Sequence, residues 1–219
     1  MNGTLYGIGV GPGDPELLTL KAVRILQQAD IIACPARDGS PGVAYQIALQ
    51  AVPVIHQKQT LPLSFPMSDE NLSAAHRATT DLLLTFLKEG KSVAFVTLGD
   101  PTLYSTFSYL QKTIQENGCP VEIISGVPSF CAAAARLGIS LTKGNESVRI
   151  SPDLQHEDAD TVVFMKCGKR MKAFKQIARE SGRSAYYVEN CGLENETVCS
   201  DVDRMPDEAG YFSVMILKE

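Results

Sequence analysis

Apolar positions along the chain fall into two periods. Leu5-Tyr6-Gly7-Ile8-Gly9-Val10 is a continuous apolar run, as a strand buried on both faces requires, and it stops at the turn Gly11-Pro12-Gly13-Asp14-Pro15. Beyond the turn Leu17, Leu18, Leu20, Ala22, Val23, Ile25 and Leu26 recur at helical spacing. This predicts one helix with Asp14 as N-cap, Pro15 as first residue and Glu16 complementing the dipole. Asp30 to Cys34 returns to a strand pattern, which completes a β-loop-α-β unit. A longer helix is predicted from about Glu70 to Glu89, where Leu72, Ala75, Thr79, Leu82, Leu83, Phe86 and Leu87 share one face before Gly90. Ser92 to Thr97 reads as a strand, and a further helix is predicted near Leu103 to Asn117, closing at Gly118.

The Gly118-Cys119-Pro120 break marks the expected boundary, giving domains over residues 1–118 and 119–219. Past it the pattern predicts a strand at Val121 to Ile124, an Ala-rich helix at Pro128 to Leu137 and a loop at Gly138 to Glu146. Strands are then expected at Thr161 to Met165, Ser184 to Glu189 and Gly210 to Leu217, with a helix from about Arg170 to Glu180. Strands outnumber helices in this half. The expected fold class is therefore α/β in two domains, the N-terminal sheet mainly parallel and the C-terminal sheet mixed.

Composition narrows the class. Hydrophobic residues make up 44% and charged residues 21%, which suits an ordinary globular core. The apolar stretches are strand-sized, far below the roughly 20 residues that cross a bilayer, so no membrane span is expected. Met1 to Tyr6 carries no secretory pattern, which predicts a cytoplasmic protein. The six cysteines form no C-x-x-C pair and the three histidines do not accompany them, so no metal site is expected and the thiols read as packing residues. A net charge of -5 argues against nucleic acid as a partner. One segment runs the other way: Lys166, Lys169, Arg170, Lys172, Lys175 and Arg179 follow one another with no acid between them, an island suited to a polyanionic ligand.

Candidate chemistry lies in the loops. In Gly7-Ile8-Gly9-Val10-Gly11-Pro12-Gly13 the dinucleotide pattern G-x-G-x-x-G fails in both registers, meeting Pro12 or Asp14 where the last glycine belongs. No Lys-Ser or Lys-Thr pair follows, so a P-loop is excluded as well. What remains is a glycine-rich strand end that a ligand can approach closely. Gly99-Asp100-Pro101 and Ser125-Gly126-Val127-Pro128-Ser129-Phe130 occupy two more strand ends. Each alone is a turn; together they can form one cleft.

Five segments in order carry a resemblance: Val10 to Thr19, Phe65-Pro66-Met67, Gly99 to Phe107, Gly126-Val127-Pro128-Ser129-Phe130 and Tyr211-Phe212-Ser213. Through them nearly the whole chain resembles the tetrapyrrole methylase family, and within it the precorrin-2 or cobalt-factor II carbon-20 subgroup. Ser125-Gly126 departs from the Pro-Gly common in that family. The resemblance implies S-adenosylmethionine held between two α/β domains of a homodimer, and methylation of a tetrapyrrole on the way to cobalamin. The donor contacts it implies are Pro12, Gly99, Asp100, Leu103, Ser105, Thr106, Ser129, Phe130, and Met165 or Lys166. For Ser105 and Thr106, capping of the next helix is an equal alternative.

A sulfonium donor leaves as a neutral sulfide, so no acid is required, and Tyr104 or Asp14 are the candidates for a general base. Both also have structural readings, as a packing aromatic and an N-cap. The substrate is a polycarboxylate, for which Arg37, Lys169 and Arg170 are the expected partners, while Lys175 and Arg179 are expected on a solvated helix face. Two alternatives stay open: another activity of the superfamily, such as diphthine synthase, or a binder of tetrapyrrole or S-adenosylmethionine without turnover.

Overall fold

A computed structural model of the chain describes residues 1–37, 39–65, 69–151 and 159–219, and of residues 37 and 69–74 the backbone only. It divides into two compact units, Met1–Pro128 and Ser129–Glu219. The first unit contains β1 (Leu5–Gly9), α1 (Leu20–Gln28), β2 (Ile31–Arg37), β3 (Ser40–Pro41), α2 (Val43–Ala51), β4 (Gln59–Ser64), α3 (Asp69–Lys88), β5 (Val93–Thr97), α4 (Phe107–Glu116) and β6 (Val121–Ile124). The sheet order is β3-β2-β5-β1-β6, with β4 paired to β2. Only the short β3 runs antiparallel to its neighbour. Every residue of β5 is buried, as a strand covered on both faces requires.

α3 and α4 share one face of this sheet. Leu83, Leu84 and Leu87 of α3 and Phe107, Leu110 and Ile114 of α4 form a cluster with Leu5, Ile31, Ala33, Val93 and Phe95 of the strands. The Phe95 and Phe107 rings lie 5.8 Å apart. Each such fully buried side chain contributes about 1.5–3 kcal/mol.

Three expectations shift here. The single helix expected from Pro15 is a 3-10 turn over Pro15–Leu17 followed by α1, because Thr19 supplies a second N-cap: its Oγ1 accepts from the Ala22 amide at 3.2 Å. The helix expected from Leu103 begins at Phe107, because Tyr104 adopts φ 50°, a left-handed backbone that a helix does not accommodate. The units divide after Pro128 rather than after Gly118, since Val121–Ile124 joins β1 in parallel and completes the first sheet.

The second unit contains α5 (Ser129–Leu137), β7 (Val148–Ser151), β8 (Thr161–Met165), α6 (Met171–Ser181), β9 (Ser184–Glu189), β10 (Thr197–Cys199) and β11 (Ser213–Lys218). Its order is β10-β9-β11-β8-β7, parallel between β7 and β8 and antiparallel elsewhere, a mixed sheet. The last strand begins at Ser213 rather than Gly210, because Ser213 Oγ bonds back to the Gly210 carbonyl at 2.6 Å and closes a turn. Met171, Phe174 and Ala178 face the sheet from α6, and the Phe174 ring stacks 4.3 Å from Phe164.

Lys175 corrects an expectation. It lies on the buried stripe of α6, 5% exposed, and its Nζ donates to the Met205 carbonyl and to Asp207 Oδ1, both at 2.7 Å. A buried ammonium is tolerated when paired and hydrogen-bonded in this way. Lys175→Met should therefore leave ligand affinity unchanged while the orphaned Met205 carbonyl lowers stability by about 1–3 kcal/mol, read by chemical denaturation. Equal stability of variant and wild type would refute that role.

No helix among the described residues is long and apolar enough to cross a membrane. Cys34 and Cys167 are buried, and burial pushes both thiols up to about 11, which suits packing residues rather than nucleophiles.

Candidate functional site

Because β1, β2, β4, β5 and β6 are parallel, their carboxyl ends lie at one edge of the first sheet, where open α/β sheets place ligands. The loops after β1, β5 and β6 meet there. Val10 N–H donates to the Thr97 carbonyl at 3.0 Å, and Gly11 and Gly99 exchange backbone hydrogen bonds of 3.3 and 2.9 Å. The third loop presses into this pair so closely that side chains are excluded. A Cβ on Gly9 would stand 2.5 Å from the Gly99 oxygen and 2.6 Å from the Gly126 nitrogen.

Asp100 ties the loops together. Its Oδ1 accepts from the Thr102 amide at 2.8 Å and the Thr102 hydroxyl at 2.6 Å, and its Oδ2 accepts from the Gly126 amide at 3.0 Å. Burial of this carboxyl raises its pKa, but the hydrogen bonds from Thr102, Gly126 and Ser125 outweigh that and hold it below the ordinary value. A carboxylate so engaged has little acceptor capacity left for a ligand. Asp100 thus acts on the shape of the site, and backbone groups and hydroxyls are what the edge offers outward.

Pro12 is buried at this edge and Leu103 half-buried. Ser105 Oγ accepts from the Phe107 amide at 3.2 Å and lies 3.1 Å from Thr97 Oγ1, so it caps α4 and links it to β5. Thr106 makes no side-chain capping bond. Tyr104 is 50% exposed in its left-handed conformation, a backbone strain of the kind that clusters at functional sites. Asp14 Oδ1 accepts from the Glu16 amide at 2.8 Å, its N-cap role.

The other expected residues lie on the second unit or outside the described residues. Ser129 and Phe130 open α5, Met165 ends β8 and Lys166 directly follows it. Lys166 takes φ 55°, donates its amide to the Ser213 carbonyl at 2.9 Å and sets Nζ 5.1 Å from the Tyr211 ring centroid. Lys169 is exposed, whereas Arg170 folds over the Phe174 ring at 5.4 Å and donates to the Lys166 carbonyl at 3.4 Å. Of the rest of the basic island, Lys175 bonds Asp207 and Arg179 bonds Asp203, whereas Lys172 reaches Asp207 only at 3.8 Å with both side chains largely exposed. The side chain of Arg37 and the residues Pro66 and Met67 lie outside the described residues.

Sequence reasoning passed over Asn190 and Glu189. Asn190, at φ 54°, donates its amide to the Phe212 carbonyl at 2.9 Å. Glu189 accepts from the Tyr187 hydroxyl at 2.7 Å and from the Gly210 amide, so the two residues anchor the Tyr211-Phe212-Ser213 turn. An asparagine directly after a strand was the available signal, since asparagine tolerates the left-handed region.

A sheet edge of this kind holds and orients a ligand rather than attacking it. Asp100 shifts away from the neutral range where proton transfer is efficient, and no group of His, Cys, Asp and Glu among the described residues could hold a metal ion. Residues 4–203 match the family model for tetrapyrrole (corrin/porphyrin) methylases, and the chain belongs to that family. Within it, similarity runs nearly the full length to carbon-20 enzymes. The protein named "probable cobalt-precorrin-2 C(20)-methyltransferase" of Methanocaldococcus jannaschii is 35% identical, over 98% of this chain and 95% of that one. The precorrin-2 C(20)-methyltransferase of Sinorhizobium sp is 30% identical, again over 98% and 95%. The fold is shared with uroporphyrin-III C-methyl transferase from Thermus thermophilus, solved with S-adenyl homocysteine, at TM-score 0.72 and 24% identity over 99% of this chain and 98% of that one.

Proposed function

We propose that this chain is an S-adenosylmethionine-dependent methyltransferase that methylates carbon 20 of precorrin-2 or cobalt-factor II in cobalamin biosynthesis, as a cytoplasmic homodimer. The observation that carries the reading is the junction of the loops after β1, β5 and β6 around Asp100 in a chain that matches carbon-20 enzymes almost end to end.

The donor set fits. S-adenosylmethionine presents an adenine, ribose hydroxyls and a methionyl zwitterion, and the edge offers glycine loops whose backbone a ligand can approach closely together with the hydroxyl of Thr106, which makes no capping bond. Pro12, Gly99, Leu103, Ser105 and Thr106 would hold it, Asp100 would fix their loops, and Ser129, Phe130, Met165 and Lys166 complete the proposed donor set. Once bound, the donor supplies an electrophilic methyl on a sulfonium whose departing sulfide is neutral. The chain's own residues then orient and exclude water; alignment of the reacting atoms about 3–3.5 Å apart accounts for most of the acceleration. The two candidates for taking up the proton lost from carbon 20 are Asp14, which accepts from the Glu16 amide through Oδ1, and Tyr104, half-exposed at the edge.

The test is to incubate the purified protein with S-adenosylmethionine and, in parallel, metal-free precorrin-2 or cobalt-factor II. S-adenosylhomocysteine should appear in step with a singly methylated macrocycle from one of the two. Absence of both products in both incubations would overturn the reading, and a single-chain sedimentation mass would overturn the homodimer.

A further inference from the structure

A polycarboxylate substrate needs several cations, and within the second unit Lys175 and Arg179 are bonded to Asp207 and Asp203, so cations outside the basic island are candidates as well. A groove of about 460 Å³ lies between α3 and α4 of the first unit, and its described lining comes from those two helices. Among the described residues it carries Arg77 and Lys112 with one acid, Asp81, and the hydroxyls of Ser108 and Thr113 beside them. Lys112 reaches Glu116 only at 4.0 Å, with both side chains largely exposed, a pair that contributes little.

The groove also holds an unmet hydrogen-bonding group. The His76 ring stacks on Tyr109, centroids 4.6 Å apart, and meets Phe65 at 5.9 Å, so its orientation is fixed. Its Nε2 is buried without a hydrogen-bond partner. The one other such side-chain atom among the described residues, Arg183 Nη1, belongs to a guanidinium already bonded to Glu219. A buried polar atom left unpaired is unfavourable, which calls for a partner in the working complex. The place is right for one. Phe65 directly follows β4 and Ser108 sits in the first turn of α4, so both belong to the same sheet edge as the junction around Asp100.

We infer that the α3–α4 groove receives one acidic side chain of the tetrapyrrole, its carboxylate set against Arg77 and Lys112, with His76 Nε2 supplying a hydrogen bond. The inference rests on the proposed function and names the residues that recognise its substrate. Charge-assisted hydrogen bonds of this kind change affinity about tenfold or more each.

Two variants test it, R77E/K112E and H76F, the second keeping an aromatic ring on Tyr109 while removing the nitrogen. Methylation kinetics are measured alongside equilibrium binding of uroporphyrin III, a stable polycarboxylate porphyrin. The charge variant should raise the tetrapyrrole KM and weaken porphyrin binding about tenfold or more, with kcat and the donor KM little changed. H76F should move the same two quantities in the same direction by a smaller factor. Wild-type affinity for the porphyrin in both variants, or no porphyrin binding by the wild type, overturns the groove. A wild type that binds the porphyrin yet transfers no methyl to either corrin precursor overturns the catalytic reading and leaves the groove standing.

Discussion

Gly126→Ala should disrupt the strand-end junction more than any other single methyl added to the chain. The new Cβ would stand 2.2 Å from the Gly99 oxygen and 2.7 Å from the Gly9 Cα and carbonyl carbon. All three are backbone atoms of buried strand ends, so no side chain can rotate away, and relief requires the three loops to separate. Overpacking of this severity costs about 3 kcal/mol or more, against a total stability of about 5–15 kcal/mol. The melting temperature should fall by about 6–12 °C, and donor affinity, measured by calorimetry, should drop at least about tenfold as the loops part. Gly118→Ala is the control. Gly118 has φ 76° and no atom within 4 Å of an added Cβ, so it should show only the left-handed penalty of about 1–2 kcal/mol with donor affinity intact. A Gly126→Ala protein that melts and binds donor like the wild type would mean the loops are not packed as described.

The junction was half legible in the sequence, and the reason is physical. β5 and β8 could be read because strands buried on both faces are short continuous apolar runs bounded by turn residues, and such runs need no partner to be recognised. β4 could not: it is largely uncovered, pairs only with β2 and carries Pro62, all of which dilute a strand signal. α2 was missed for the opposite reason. Ala44, Tyr45, Ile47 and Ala48 are buried around much of its circumference, and its N-cap, Gly42, makes no side-chain cap, so neither periodicity nor a start signal stands out. Glycine motifs identified which loops matter, but not that a carboxylate links them, since the amide bound by Asp100 lies 26 residues further on. Lys175 was misplaced for the same reason: the acid that neutralises it is 32 residues away, beyond any local count of charge.

Asp100→Asn should uncouple the charge of that link from its shape. An asparagine can still accept from Thr102 through its oxygen, but its amide nitrogen would then face the Gly126 N–H, donor against donor. Hydrogen bonds to charged groups contribute about 1.5–3 kcal/mol, so the variant should lose about 2–3 kcal/mol at neutral pH, and, because the proposed donor contacts lie on these loops, the donor KM should rise more than the tetrapyrrole KM. The pH dependence fixes the cause. Asp100 has a folded pKa below the unfolded carboxylate value of about 3.9, so its stabilisation is complete above that value and is lost as pH falls through the folded pKa. The gap in melting temperature between wild type and Asp100→Asn should therefore be constant from pH 7 to about 5 and narrow once the pH falls below about 3.9. A gap that persists unchanged into acid would assign the defect to altered packing and remove the ionised carboxylate as the tie between the β5 and β6 loops. Narrowing of the gap would show that the site is held open to its ligand by one buried negative charge, with the glycines supplying the room for the backbones that surround it.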